Sequence, residues 1–449
     1  RMILSTLIQV LVLLNILTIL KRPVITLQNI FTMEKIWTKN KSTLNDIIES
    51  YTVGGDNVLD EKIFYKYDLK ASAAHIEALA ENGIFTRREY DILLEMLSYI
   101  EHDWDIGVLH VESSDEDCHT VIERELTKRT GSLGKKVHTA RSRNDQSLTM
   151  IRLFMMDSLK QSEKRIEELI SSLSKIEKKH KKTPFIGYSH TQQAMPTTYG
   201  HYINSFREQL EDDLSYTEII RKFISKNPLG SGSGFGSNID INRSLTAKRL
   251  GFDSIQKNSL YCQNSRGKFE LKYIHSLSQI MQTLQKIATD VVLYTTREFS
   301  ILKADDSITT GSSMMPQKKN LDVAELIRGN YAMIIGLETQ VSSLVHGLTS
   351  GYNRDFQLIK KSIVEAHNIV HTSLEASLVM MEKVKPNSKR ILEVIEKDIY
   401  STDVVNIKVK ETGQSFRDVY KNIMDIGDFD VDFDKIISQR KSLGSPGNY

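Results

Sequence analysis

Residues 148–176 read LTMIRLFMMDSLKQSEKRIEELISSLSKI. Leu148, Ile151, Met155, Leu159, Ile166, Leu169, Leu173 and Ile176 fall at three- and four-residue steps, with Ser162 the one polar residue on the stripe. That spacing puts them on one face of an α-helix. Ile274, Leu277, Met281, Leu284, Ala288, Val291 and Tyr294 repeat the pattern. So do Val323, Ile327, Tyr331, Ile334, Val341 and Leu344, and residues 356–384 continue it. A helix of about 35 residues is about 50 Å long, and it needs partners along its whole length, which predicts a bundle. Apolar Phe154 and Met156 lie off the main stripe, which predicts burial on a second face and association between subunits. Strand and helix patterns do not alternate, so no doubly wound sheet is expected. The fold class is all-α.

The chain has 449 residues and a formal net charge of +2. The length allows a large core with two or three substructures. The near-neutral charge argues against a dedicated nucleic-acid binder. Cys118 and Cys262 are the only cysteines, with no disulfide framework and no metal-ligand spacing, as in a reducing compartment. Residues 2–20 are uncharged and apolar, long enough for a membrane anchor. No small-residue cleavage site follows, and Met33 opens a second start. Residues 1–32 are therefore read as an upstream or non-native extension. Residues 33–138 are expected to form an N-terminal helical domain, 139–384 the long-helix bundle, and 385–449 a smaller helical unit with a loose tail. The location expected is cytoplasmic, with a membrane anchor as the alternative.

Several polar stretches interrupt the stripes. Residues 309–320, TTGSSMMPQKKN, read as a loop. Asp322 then opens a helix. Hydroxyls, lysines and a helix start suit an anion, although a solvated surface loop has the same composition. Residues 138–146, HTARSRNDQ, set guanidinium and amide donors at the mouth of the first long helix, which suits carboxylates. Asp117 and His119 lie just upstream in EDCHT. His190 stands in the polar segment GYSHTQQAMP, with the reach of a general acid or base or of a structural histidine. The Gly-rich NPLGSGSGFG at 227–236 does not meet the dinucleotide register and follows no strand. Tyr352, Gln357 and Lys360 form a last cluster, with the latter two expected on one helix face.

Together these segments resemble the fumarase/aspartase superfamily, and within it the argininosuccinate lyases, from about residue 51 to residue 424. The loop at 311–320 matches the superfamily signature, and HTARSRNDQ narrows the match. The resemblance implies a homotetramer with active sites built from three subunits. It implies reversible β-elimination of argininosuccinate to arginine and fumarate, with no cofactor and no metal. Ser312 would be the base and His190 the acid, with Glu325 orienting it. Lys318 would hold the aci-carboxylate together with Asn320. Ser142, Arg143, Asn144, Ser189, Tyr352, Gln357 and Lys360 would bind substrate, with Asp117 and His119 in support. The sequence departs from the family pattern at Gln193, often arginine, at Leu321, often proline, and around Arg266, in Asn264–Phe269. Other fumarate-releasing lyases and a non-catalytic structural tetramer are the competing readings.

Overall fold

The apolar stripes become helices whose ends are set by local capping chemistry. The computed structural model describes residues 45–112, 115–423 and 431–449. The expectation for residues 1–32 lies outside them. Residues 45–52 belong to a unit separate from Val53–Tyr449 and form most of a short helix, Asp46–Val53. In the second unit, α1 (Tyr65–Glu81) ends at Asn82, where the Asn-Gly pair predicts a stop. α2 (Arg87–Asp105) starts on the reciprocal capping box of Thr86 and Glu89. α3 (Cys118–Thr130) starts on Asp117, whose carboxylate accepts from the Thr120 N–H.

α4 (Arg143–Lys179) is the 37-residue spine. Then come α5 (Tyr199–Ile224), α6 (Arg243–Leu250), α7 (Lys268–Tyr294), α8 (Asp322–Leu344), α9 (Ile359–Lys383) and α10 (Ser401–Thr412). α4 packs on α5 and α9, and α7 on α8 and α5, so the long helices share one core. Leu148, Met155, Leu159, Ile166, Leu169 and Leu173 on α4 are fully buried, as the stripe predicts. The strands among the described residues form two-stranded sheets only, and the fold is all-α in class. No helix of the described residues is long and apolar enough to cross a membrane.

Two details differ from the sequence expectation, the cover of Phe154 and the C-terminal tail. Phe154, off the stripe, is covered by its own chain: its ring meets Phe64 edge-on at 5.3 Å and Tyr67 at 6.0 Å. Its burial needs no second subunit. Asp322 opens α8 as expected, in its first turn, and accepts from the Thr310 hydroxyl at 2.6 Å. The C-terminal tail is fastened rather than loose. Arg440 grips Asp403 with two donors, at 3.1 and 2.6 Å. The His201 ring lies 2.9 Å from the Gly444 carbonyl and packs against Tyr449.

Arg152 lies fully buried in the spine. Its guanidinium donates to the Lys226 carbonyl at 2.7 Å, Gln256 Oε1 at 2.6 Å and Ser265 Oγ at 3.0 Å, and it stacks over Phe269. Burial lowers its pKa to about 10, so it stays charged at neutral pH. A buried charge is costly unless it is hydrogen-bonded, and both terminal nitrogens of Arg152 are. Here those bonds tie α4 to the connection that carries Arg266.

Candidate active site

The N-terminus of α4, the start of α3 and the entry to α9 converge on a pocket of about 170 Å³ lined by Asp117, His119, Arg143, Asn144, Tyr352, Gln357 and Lys360. These residues are far apart in sequence, and the structure brings them to one wall. Ser142 is the N-cap of α4; its backbone N–H donates to Asp145 Oδ1 at 3.0 Å. This capping box fixes the direction in which Arg143 and Asn144 leave the helix. Arg143 donates to Glu116 at 2.6 Å and to the Thr120 hydroxyl at 2.9 Å, and it lies 3.3 Å from Asp117. Arg354 reaches the other oxygen of Glu116 at 3.3 Å.

Gln357 sits in a 3-10 turn, Arg354–Leu358, and Lys360 in the first turn of α9. The two were expected on one helix; the break between them lets Gln357 donate to the Val53 carbonyl at 3.0 Å while Lys360 points inward. Lys360 Nζ lies 3.0 Å from Asp60 and 3.1 Å from Asp56. Burial works against its ammonium, and the two carboxylates outweigh burial, so its pKa rises and it remains charged. Asp60 comes from a π-helical turn, Asp60–Phe64, a local irregularity common at functional sites.

His119 is held charged in the same way: burial lowers its pKa, but Asp68 and Asp117 raise it further. Its Nδ1 lies 2.8 Å from Asp68. Burial would push Asp117 up, but His119 and Arg143 bring it below the usual carboxylate value. Asp68, Cys118 and His119 bring three potential metal-ligand atoms within 4.8 Å of one another. The Asp68–His119 pair already explains two of them, and burial together with the nearby carboxylates raises the Cys118 thiol, so the trio reads as an ion pair beside a neutral thiol.

Two supports of this wall do not stand out in the sequence. Arg266 is buried, lies over the Tyr352 ring at 5.1 Å, and donates to Gln263 Oε1 at 3.0 Å and to the Asn144 carbonyl. It joins the Asn144 and Tyr352 segments, and only its position in a departing motif hinted at it. The Gly-rich loop contributes backbone N–H groups: Gly230 and Gly232 donate to Asp145 Oδ2 at 3.0 and 2.9 Å. Gly232 adopts φ +60°, and a Cβ there would fall 2.9 Å from the Gly236 carbonyl. The loop therefore braces the α4 capping box. Asp56, Glu116, Ser147 and Arg354 also line the pocket; they are separate in sequence and become neighbours only through packing.

The remaining expected residues lie elsewhere. His190 and Thr191 form the two-residue turn of a hairpin, β1 (Pro184–Ser189) and β2 (Gln192–Thr198). Both have left-handed φ, 52° and 59°, where Asn-Gly is the usual choice. Such backbone strain costs of order 1–3 kcal/mol per residue and persists where its surroundings hold it. Ser189 and His190 are exposed. Gln193, on β2, ties this hairpin to the C-terminal part by donating to the Val394 carbonyl at 2.7 Å and accepting from the Glu396 N–H at 3.2 Å.

The signature loop is closed at its base by β3 (Thr310–Gly311) against β4 (Lys319–Asn320). Ser312 Oγ accepts from the Met315 N–H at 3.1 Å. Lys319 pairs with Asp306; Lys318 makes no ion pair among the described residues. Glu325 is exposed on α8, and among the described residues no hydrogen bond or ion pair joins it to His190. None of Ser312, Lys318, Asn320, His190 or Ser189 lines the Arg143–Lys360 pocket.

A family model described as "Lyase" matches residues 46–336. The chain is 38% identical over 381 residues to an argininosuccinate lyase of Thermotoga neapolitana, covering 85% of this chain and 95% of that protein. It belongs to the argininosuccinate lyase family. An argininosuccinate lyase of Bacteroides fragilis is 36% identical, with 90% of each chain covered. Among solved structures, an EDDS lyase variant with bound fumarate superposes with a TM-score of 0.75 over 90% of this chain and 87% of its own, at 20% identity. A class II fumarase of Schistosoma mansoni gives 0.71 over 88% and 91%, at 15% identity. These likenesses extend the shared all-α, long-helix fold to the wider superfamily.

Proposed function

We propose that this protein is an argininosuccinate lyase, releasing arginine and fumarate by reversible β-elimination without a metal or an organic cofactor. The observation that carries the reading is the cationic wall of Arg143, Arg266 and Lys360 in a member of this family. The substrate bears several carboxylates, and fixed guanidinium and ammonium donors orient them. The proton to be removed sits on a carbon next to a carboxylate, so its loss gives an aci-carboxylate with two negative charges. Preorganised donors must hold that charge. Arg143, Asn144, Ser142, Ser189, Tyr352, Gln357 and Lys360 bind the substrate, with Asp117 and His119 holding Arg143 and the wall in register. Lys318 and Asn320 stabilise the aci-carboxylate. Ser312 removes the proton, its hydroxyl made acidic by adjacent cations once water is excluded. His190, oriented by Glu325, protonates the departing guanidino nitrogen.

In this reading the wall comes from one subunit, while the His190 hairpin and the Ser312 loop come from others in a homotetramer. α8 supports it: Leu326, Met333 and Ile335 are exposed at 67, 54 and 38% on a long bundle helix, which suits a helix covered by another copy. We further read the protein as cytoplasmic, with an N-terminal helical part to about residue 138, a central bundle and a C-terminal helical part from about residue 385. The test is to incubate the purified protein with argininosuccinate, adenylosuccinate, aspartate and malate and to follow fumarate by its ultraviolet absorbance. Release from argininosuccinate alone is expected. Release from a different substrate would identify a sister lyase, and no release from a tetramer would identify a structural protein.

A further inference from the structure

A groove of about 670 Å³ opens between α1, α2, α4 and the end of α6, and it shares no lining residue with the Arg143–Lys360 pocket. The two meet at α1: Tyr67 lines the groove, and the next residue, Asp68, faces His119. The groove carries Lys70, Lys160, Arg221, Lys248 and Arg249 against Glu77 and Asp157. Both arginines are occupied, Arg249 by Glu77 and Arg221 by Glu163 at 2.7 Å. Asp157 accepts from the Tyr67 hydroxyl at 2.8 Å. Among the described residues, Lys70, Lys160 and Lys248 have no carboxylate within ion-pair distance. All three are exposed, Lys70 over the Tyr67 ring at 5.8 Å, so three lysines without ion-pair partners share one concavity. The floor between them is apolar, built from Leu94, Leu153, Met156 and Leu250.

We propose that this groove binds a phosphorylated organic anion, with its phosphates among the three lysines and a flat apolar moiety on the floor. The volume is in the range of small-molecule sites, about 300–1,000 Å³. Solvated lysines alone explain the charge, but they do not explain a large concavity that pairs them with an apolar floor. Lysine binds phosphate as a point charge, so the site selects for charge density and shape and not for a planar carboxylate.

The full-length protein is titrated calorimetrically with ATP, adenosine and tripolyphosphate at constant ionic strength. Saturable ATP binding, tighter than for either fragment, is expected. Lys70→Gln, Lys160→Gln and Lys248→Gln should each weaken it about tenfold, the loss of one charged hydrogen bond. Lys160→Arg should retain it, and Arg143→Gln in the other pocket should leave it unchanged. Absence of saturable ATP binding overturns the proposal, as do an unchanged affinity in the three glutamine variants, a loss with Arg143→Gln, or tripolyphosphate binding as tightly as ATP. Each variant's thermal melt confirms that it is folded.

Discussion

The wall around Arg143 and Lys360 and the two arms that carry Ser312 and His190 are built on opposite plans. The wall is interlocked: Arg143 and Lys360 already touch carboxylates and Arg266 is held by Gln263 and the Asn144 carbonyl, while Asp145 is braced by loop N–H groups. The arms are exposed. Their functional groups bond only within their own turn, as Ser312 does, or lie in a strained turn, as His190 does. A site that must recognise a polyanion benefits from fixed charges, because preorganised donors need no rearrangement as charge develops. A site that must also admit substrate and exclude water needs parts that arrive later. In the proposed site, one chain supplies the fixed half fully formed and the other half open.

The strongest way to break this contrast is Ser312→Ala. Removing a proton-transfer group costs typically about 10²–10⁴-fold, and kcat should fall by that much with KM nearly unchanged; steady-state fumarate release measures both. A near-normal kcat would return the loop to a structural role. Next is mixing: an inactive His190→Asn protein and an inactive Arg143→Gln protein, co-refolded, should recover activity if arm and wall meet between copies. No recovery after exchange verified by native mass spectrometry would place both halves in one chain. Lys360→Met should act on stability as well as binding. It leaves buried Asp60 and half-buried Asp56 without their cation, which costs about 3–5 kcal/mol, read by urea unfolding.

The smallest effect serves as a control within the bundle. Burial raises the carboxyl of Asp213 from 3.8 to about 6, even though Thr283 donates to it at 2.6 Å. A raised carboxyl pKa means that the folded state holds its proton more tightly. Its contribution to stability is complete below about pH 4 and is lost as pH rises through about 6. Asp213→Asn should therefore match the parent near pH 4 and exceed it near pH 8 by about 1–3 kcal/mol, with kcat unchanged. An equal gap at both pH values would show that Asp213 is not titrating in that window.

What could be read from the sequence follows from how local each signal is. The stripe of α4, the Thr86–Glu89 box and the stop at Asn82 depend on residues within a few positions of one another, and the structure has them. The Arg143 cluster was legible because it is contiguous. The Asp56 and Asp60 partners of Lys360, and Arg266 over Tyr352, come from distant segments; packing alone makes them neighbours, and no spacing rule reports it. The His190 hairpin was missed because its turn lacks Asn-Gly and reads as a polar loop. Phe154 misled for the converse reason: an apolar residue off the stripe was covered by α1 and the Phe64 turn, not by another subunit.

The same hairpin bears on how this protein would change under laboratory evolution. His190 and Thr191 occupy a turn for which asparagine and glycine are better suited. A library selected for heat resistance alone would be drawn to that pair, since relieving the turn is a gain available at a single site. Under the proposed mechanism such winners would survive heating and lose turnover, so the genotype at 190–191 would report which pressure a lineage had experienced.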